Sequence, residues 1–293
     1  MKIQYASDLH LEDYNQQLCS NKEFFVTLLV PQPNVDALIL AGDIGHPHSL
    51  ILMQFLLYCS ANWPHTLWVM GNHEYYNVTS SSLWKHRSFH SVESIQKRIQ
   101  LLQQKIPRLH VLDNTPFVFP RFPDYVFLGS TFWTDLSDLS EQDARASNDF
   151  RYIGFESKAP LTPYHVTAYH KTARIWLQDQ LNQCEQQGKK AIVITHHLPS
   201  FKVILPQYQD CTENELFASH SDSLITHPAT LLWICGHTHG ALQQRIGKAT
   251  CVYNARGHTD EDSIQTYNPG KTMVLEDLLE QPKEIKVEEV VFE

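Results

Sequence analysis

Six short motifs rich in histidine and carboxylate recur along the chain in one order, and the sequence around them leaves few folds open. They are Asp8-Leu9-His10, Gly42-Asp43, Gly71-Asn72-His73-Glu74, Thr195-His196-His197, Gly236-His237 and Thr238-His239. Apolar runs lead into them: Ile3–Ser7, Ala37–Leu40, Leu67–Val69, Ala191–Thr195 and Leu231–Cys235. Such runs read as strands buried on both faces of a sheet. Strands of this kind deliver the residues that follow to their carboxyl ends, the rim at which open α/β sheets bind ligands. Gly42 and Gly71 permit the tight turns there. The strand ends are therefore expected to converge on one rim carrying imidazole, carboxylate and amide groups.

Taken singly, each motif has an ordinary reading. Asp-x-His is commonly a capping aspartate beside a surface histidine, and Gly-Asn is a turn former. His237 and His239 at i, i+2 point the same way from an extended segment, a frequent ligand spacing. The ordered set as a whole is what predicts a metal site. Imidazole, carboxylate and amide donors without thiolate suit Mn, Fe, Zn, Co or Ni better than Ca or Cu(I). Between His196 and His197 the residues alone do not choose.

Between the strands run longer stretches of helical period, giving the alternation of an α/β protein. Thr162 can cap a helix that has Pro163 at its first position and ends at Gly188, with Val166, Tyr169, Ala173, Trp176 or Leu177, Leu181 and Cys184 on one face. A second helix is predicted from Ser91 to Ile106, stopped by Pro107, and a further strand over Val126–Gly129. The 293 residues, 42% hydrophobic, are expected to form a single domain over 1–293, with an inserted accessory segment at about 75–163. The alternation of Ile285 and Val287 predicts a final edge strand.

A net charge of −9 disfavours nucleic acid or an anionic membrane as partner. The first strand is expected to start almost at Met1, so export by a cleaved signal is not expected. The longest apolar stretch, Leu50 to Tyr58, is too short to span a bilayer. Six scattered cysteines form no CxxC pair, and free thiols in a reducing cytoplasm are the expectation. Oligomeric state is not legible.

The ordered motifs resemble those of the calcineurin-like metallophosphoesterase superfamily, in a bacterial-type, uncharacterised branch, over most of the chain. The resemblance implies a four-layer αββα sandwich: two mixed β-sheets face to face, flanked by helices. It implies one divalent ion on Asp8, His10, Asp43 and His239 and another on Asp43, Asn72, His196 and His237, so that it favours His196 over His197. Asp43 would bridge the two ions, as a carboxylate can across ~3.5–4 Å. The implied reaction is hydrolysis of a phosphomonoester or phosphodiester by a hydroxide shared between the ions, with His73 assisting the leaving group. Glu74 is expected to orient its loop.

The family's Ser/Thr protein phosphatases carry an Asp-Arg-Gly shortly after the motif aspartate, whereas this chain reads Asp43-Ile44-Gly45-His46-Pro47-His48. The missing arginine argues for a small phosphoester substrate, nucleotide-like given the aromatic residues of 75–163. His46, Trp133 and Arg151 are the candidate substrate contacts, each with an ordinary alternative in solvent, core or ion pair. Two other functions compete. A nuclease acting on nucleic-acid ends should show a basic face, and a non-catalytic scaffold should have lost ligands.

Overall fold

The computed structural model describes residues 1–14, 22–77, 90–137, 139–145, 147–156 and 159–279. The expected edge strand at Ile285 and Val287 lies outside the described residues, as does Cys19.

Two mixed sheets pack face to face. The first has the order β11-β1-β2-β3-β4, built from Thr272–Val274, Lys2–Ala6, Ala37–Ala41, Thr66–Val69 and Leu109–Val111. β1 to β4 run parallel and β11 is antiparallel to β1. The second has the order β5-β6-β7-β8-β10-β9, from Thr115–Phe117, Tyr125–Ser130, Lys190–Thr195, Thr230–Ile234, Ala249–Ala255 and Gly240–Ile246. Here β6, β7, β8 and β10 are parallel, with antiparallel β5 and β9 at the edges.

Period-two alternation sorts the side chains into layers. Ile3, Tyr5, Ile39, Leu67 and Val69 meet Phe127, Ile192, Ile194 and Val252 between the sheets. Leu38, Leu40 and Trp68 face the other way, into a core shared with Phe55, Ile95 and Ile99 of the helices Leu50–Asn62 and Val92–Lys105. On the far side Leu128, Val193 and Trp233 pack against Leu177 and Leu181 of the helix Pro163–Gln186. This is the four-layer αββα sandwich, and it explains why the strands are apolar on both faces.

The long helix starts as its sequence requires. Pro163 stands in the first turn, and Thr162 and His165 form a reciprocal capping pair. Within 75–163 the chain supplies β4 to the first sheet and β5 and β6 to the second. Among the described residues, no helix is long and apolar enough to cross a membrane. Five described cysteines are free, and all but Cys211 are buried.

Candidate metal centre

The two sheets are sewn together at the carboxyl ends of their strands. Ser7 N–H donates to Asn254 O at 3.2 Å, Arg256 N–H to Ser7 O at 3.1 Å and Gly257 N–H to Asp8 O at 3.0 Å. Residues leaving β1, β2 and β8 thus come within reach of one another, but only through sharp turns. Asp8, His10, Asp43 and His237 all adopt positive φ, at 54°, 44°, 54° and 66°. Non-glycine residues rarely adopt this conformation. Space is equally tight: a Cβ at Gly71 would lie 2.1 Å from Asp43 Oδ1, and one at Gly42 would lie 2.4 Å from His196 Nδ1. The motif glycines therefore leave room for the neighbouring motif's functional side chain, a second reason for them besides turn geometry.

Two donor clusters result. In one, His10 Nε2 lies 3.2 Å from His239 Nε2, which is 3.5 Å from Asp8 Oδ1. In the other, His196 Nε2 lies 3.2 Å from Asp43 Oδ2, 3.1 Å from Asn72 Oδ1 and 3.2 Å from His237 Nδ1. Donors around a common cation at bonds of ~2.1 Å stand ~3.0–3.4 Å apart, so the spacing fits divalent ions. Within each of the trios Asp8/His10/His239 and Asp43/His196/His237, ligand atoms lie within 4.8 Å of one another. His197 points elsewhere. Its Nδ1 meets Thr131 O at 3.3 Å, its ring packs 5.2 Å from Trp133, and burial together with the His196 charge lowers its pKa to about 3.

Three of the four imidazoles that face the clusters are held from behind, as ligand histidines usually are. His196 Nδ1–H donates to Ala41 O at 2.9 Å, His10 Nδ1 pairs with Glu12 Oε1 at 2.9 Å, and His239 Nδ1 pairs with Glu261. Asn72 is oriented too, because its Nδ2 donates to Asp149 Oδ1 at 2.8 Å, which leaves Oδ1 for the cluster. Buried carboxylates and imidazoles favour one another's charged forms here. Burial opposes charge on Asp43, yet the His196 and His73 imidazoles hold its carboxyl well below the usual range. Burial also works against His196 and His239, but Asp43 and Asp8 respectively raise each to about 9.

Glu74 organises two of the turns. Its Oε1 accepts from Ile44 N–H at 2.7 Å and Gly45 N–H at 3.1 Å, and its Oε2 from Asp43 N–H at 2.9 Å and Gly71 N–H at 2.6 Å. Burial and the Asp43 charge push this carboxyl up to about 7, against the pull of the Gly71 and Gly45 donors. With four donors around it, no acceptor remains for a carboxyl proton, and the geometry fits the carboxylate.

His73 sits beside this frame. Its backbone N–H donates to Asp43 Oδ1 at 2.9 Å, its Nδ1 pairs with Glu12 Oε1 at 3.0 Å, and its ring stacks 4.2 Å from Tyr76. Burial lowers its proton affinity, but Asp43 and Glu12 more than reverse this and raise its pKa to about 10. His258 completes a third group with His10 and His73. It stacks on His10 at 3.9 Å and is held through Nδ1 by Asp13 Oδ2 at 2.9 Å.

Sequence reading did not single out Glu12, Asp149, His258 or Glu261. Only Glu12, in an alternating Asp8-x-His10-x-Glu12, carried a signal in its spacing. Trp133, a candidate substrate contact, is 6% exposed and packs near Tyr75 and His197. Arg151 is exposed on the short helix Asp149–Tyr152. His46 is half-buried, its Nδ1 accepting from His48 N–H at 3.3 Å.

A sequence profile of the calcineurin-like phosphoesterases matches residues 1–241. An uncharacterized protein of Acanthamoeba polyphaga mimivirus is 26% identical over an alignment of 291 positions that covers 94% of this chain and 98% of that one. Among solved structures, the phosphopantetheinyl hydrolase of Mycobacterium tuberculosis superposes with a TM-score of 0.64 at 14% identity, over 89% of this chain and 93% of its own. At that identity the likeness is one of fold.

Proposed function

The chain belongs to the calcineurin-like phosphoesterase family and is a metal-dependent phosphoesterase, and from that premise we propose that it hydrolyses a small phosphomonoester or phosphodiester at the rim where β1, β2, β3, β7 and β8 end. The observation that carries the reading is the pair of adjoining clusters that aim imidazole nitrogens and carboxylate oxygens at two small volumes. Asp8, His10 and His239 would hold one divalent ion, Asn72, His196 and His237 a second, with Asp43 shared. Bound ions would neutralise phosphoryl charge and acidify water, and Mn, Fe, Zn, Co and Ni all suit this donor set.

The chain's own groups do the rest. Glu12 occupies the Nδ1 of His73 and Tyr76 supports its ring face, so Nε2 is the nitrogen free to meet the substrate. His73 thereby delivers a proton to the leaving oxygen. His258, fixed by Asp13 on the same side, presents a second imidazole to the phosphoryl group.

The test is metal analysis of the purified protein by mass spectrometry, followed by turnover of aryl phosphomonoesters, aryl phosphodiesters, nucleotides, a phosphopantetheinyl ester and phosphopeptides with Mn and other divalent ions. The proposal expects bound divalent metal and hydrolysis of small esters. Turnover of phosphopeptides alone would overturn the substrate class, and no turnover at full metal occupancy would overturn the enzymatic reading.

A further inference from the structure

A cavity of about 380 Å³ opens beside the imidazole rim, sharing His237 and His239 with it. The volume is that of a small-molecule site, for which ~300–1,000 Å³ is usual. One wall comes from a stretch that the motifs do not touch, residues 198–219. It leaves the rim after His197 and returns to the same place: Leu198 N–H donates to Phe217 O at 2.9 Å and Ser219 N–H to Leu198 O at 3.1 Å. Between those ends it winds through the 3-10 turns Phe201–Val203, Pro206–Tyr208 and Thr212–Leu216. The loop is tied down. Tyr253 OH donates to Val203 O at 3.0 Å, and Asn214 Nδ2 donates to Tyr208 O at 2.8 Å and Gln209 O at 3.1 Å. Val203 and Ile204 are buried.

The lining is chemically one-sided. Leu198, Ile204, Tyr208 and Phe217 form an apolar and aromatic wall, Glu213 and Glu261 supply carboxylates, and no Lys or Arg among the described residues lines it. Phe217 brings that wall to the clusters, its ring lying 4.7 Å from that of His237. A phosphoryl group drawn to the rim would therefore extend its ester arm along an apolar surface, and a second anionic group at the far end of that arm would meet Glu213 with no Lys or Arg beside it, Glu261 being engaged by His239.

We infer that this cavity receives the group esterified to the phosphate, and that it selects phosphoesters whose arm is apolar and carries no further negative charge. The inference deepens the phosphoesterase reading and rests on it. It moves substrate selection from the aromatic segment 75–163 to the loop after His197, and it sets nucleoside di- and triphosphates aside.

Cys211 lines the cavity and is exposed, whereas the other described cysteines are buried, so its alkylation by iodoacetamide, mapped by peptide mass spectrometry, reports occupancy without turnover. The probes are two non-hydrolysable phosphonates of equal length, one ending in phenyl and one in carboxylate, used with the metal-loaded protein. The matching aryl phosphoesters, of equal leaving-group pKa, are used for rates. The phenyl phosphonate should slow Cys211 alkylation and the carboxylate one should not. The phenyl ester should be preferred by about tenfold or more in kcat/KM, and Glu213→Lys should narrow that gap. Equal rates and equal protection with the two arms, or no protection by either, would overturn the subsite and leave any observed hydrolysis standing. Protection by the phenyl arm alone, with none of the esters hydrolysed, would support the subsite while removing the phosphoesterase reading.

Discussion

Replacing Glu74 by Gln changes one atom and should cost the protein much of its stability. The side chain is 0% exposed and accepts four backbone N–H groups, two at each oxygen. Glutamine keeps one oxygen and turns an NH2 towards the other pair of donors. In either orientation two buried N–H groups lose their acceptor and confront a donor instead. Each orphaned group costs ~1–3 kcal/mol, which makes about 2–6 kcal/mol in all, against a total of ~5–15 kcal/mol for a folded domain. The orphaned donors would be Asp43 and Gly71 in one orientation or Ile44 and Gly45 in the other, so the turn that carries Asp43 should loosen too and metal affinity should fall. Urea unfolding of metal-free protein measures the first effect, and metal titration of the folded variant measures the second. Because glutamine has the shape of a neutral carboxyl, a variant with an unchanged urea midpoint would show that Glu74 is protonated in the native protein, and the argument from four donors would fail.

Asp43→Asn should retain the fold, since Asn tolerates the positive φ at that position, yet bind less metal by mass spectrometry because the carboxylate proposed to serve both ions is lost. His73→Ala should keep its metals and lose kcat, most on esters with poor leaving groups, and rates unchanged across a leaving-group series would remove the proton-delivery role. Asp149→Ala frees the Asn72 amide to rotate and should weaken metal binding by roughly 10–100-fold, with Asp149→Asn milder because an oxygen can still face Nδ2. Metal affinity equal to wild type in both Asp149 variants would make the Asp149 contact incidental.

The buried parallel strands were legible because their apolar runs are continuous and stop at residues a strand end would not otherwise favour, a Gly-Asp or a His-His. The hairpin of β9 and β10 was not. β9 lies at an edge, and its Gln243, Gln244 and Arg245 alternate between exposed and half-buried positions, so its composition reads as loop. The residues of the two donor clusters could be read because motif order survives in one dimension. Their supports could not: Asp149 reaches Asn72 across 77 positions and Glu261 reaches His239 across 22, contacts that only the tertiary fold creates. The aromatic residues of 75–163 drew attention as substrate contacts, yet Trp133 serves the core. The wall beside the rim is made by 198–217, whose Leu, Ile, Tyr and Phe look in sequence like any packing residues.

Backbone strain gives an independent line of argument for why the rim is built as it is. Left-handed residues that only turn the chain are most often Gly or Asn, as at Gly247, Asn34 and Asn114, although Arg108, Phe132 and Leu136 adopt the conformation as well. At the rim the same conformation is taken by Asp8, His10, Asp43 and His237, at a cost of order 1–3 kcal/mol each. Turns alone do not demand those residue types, since glycine would make them with less strain. What glycine cannot supply is the oxygen or nitrogen that each of these four sends into a cluster with its neighbours from the other sheet. Local backbone preference is overridden where the side chain has a task, and the packing of two sheets with their outer helices holds the strained turns in place. The expected consequence is a rim whose donors are set before any ion arrives, so that metal binding meets little reorganisation and a displaced donor, as behind a Cβ at Gly71, is felt at once.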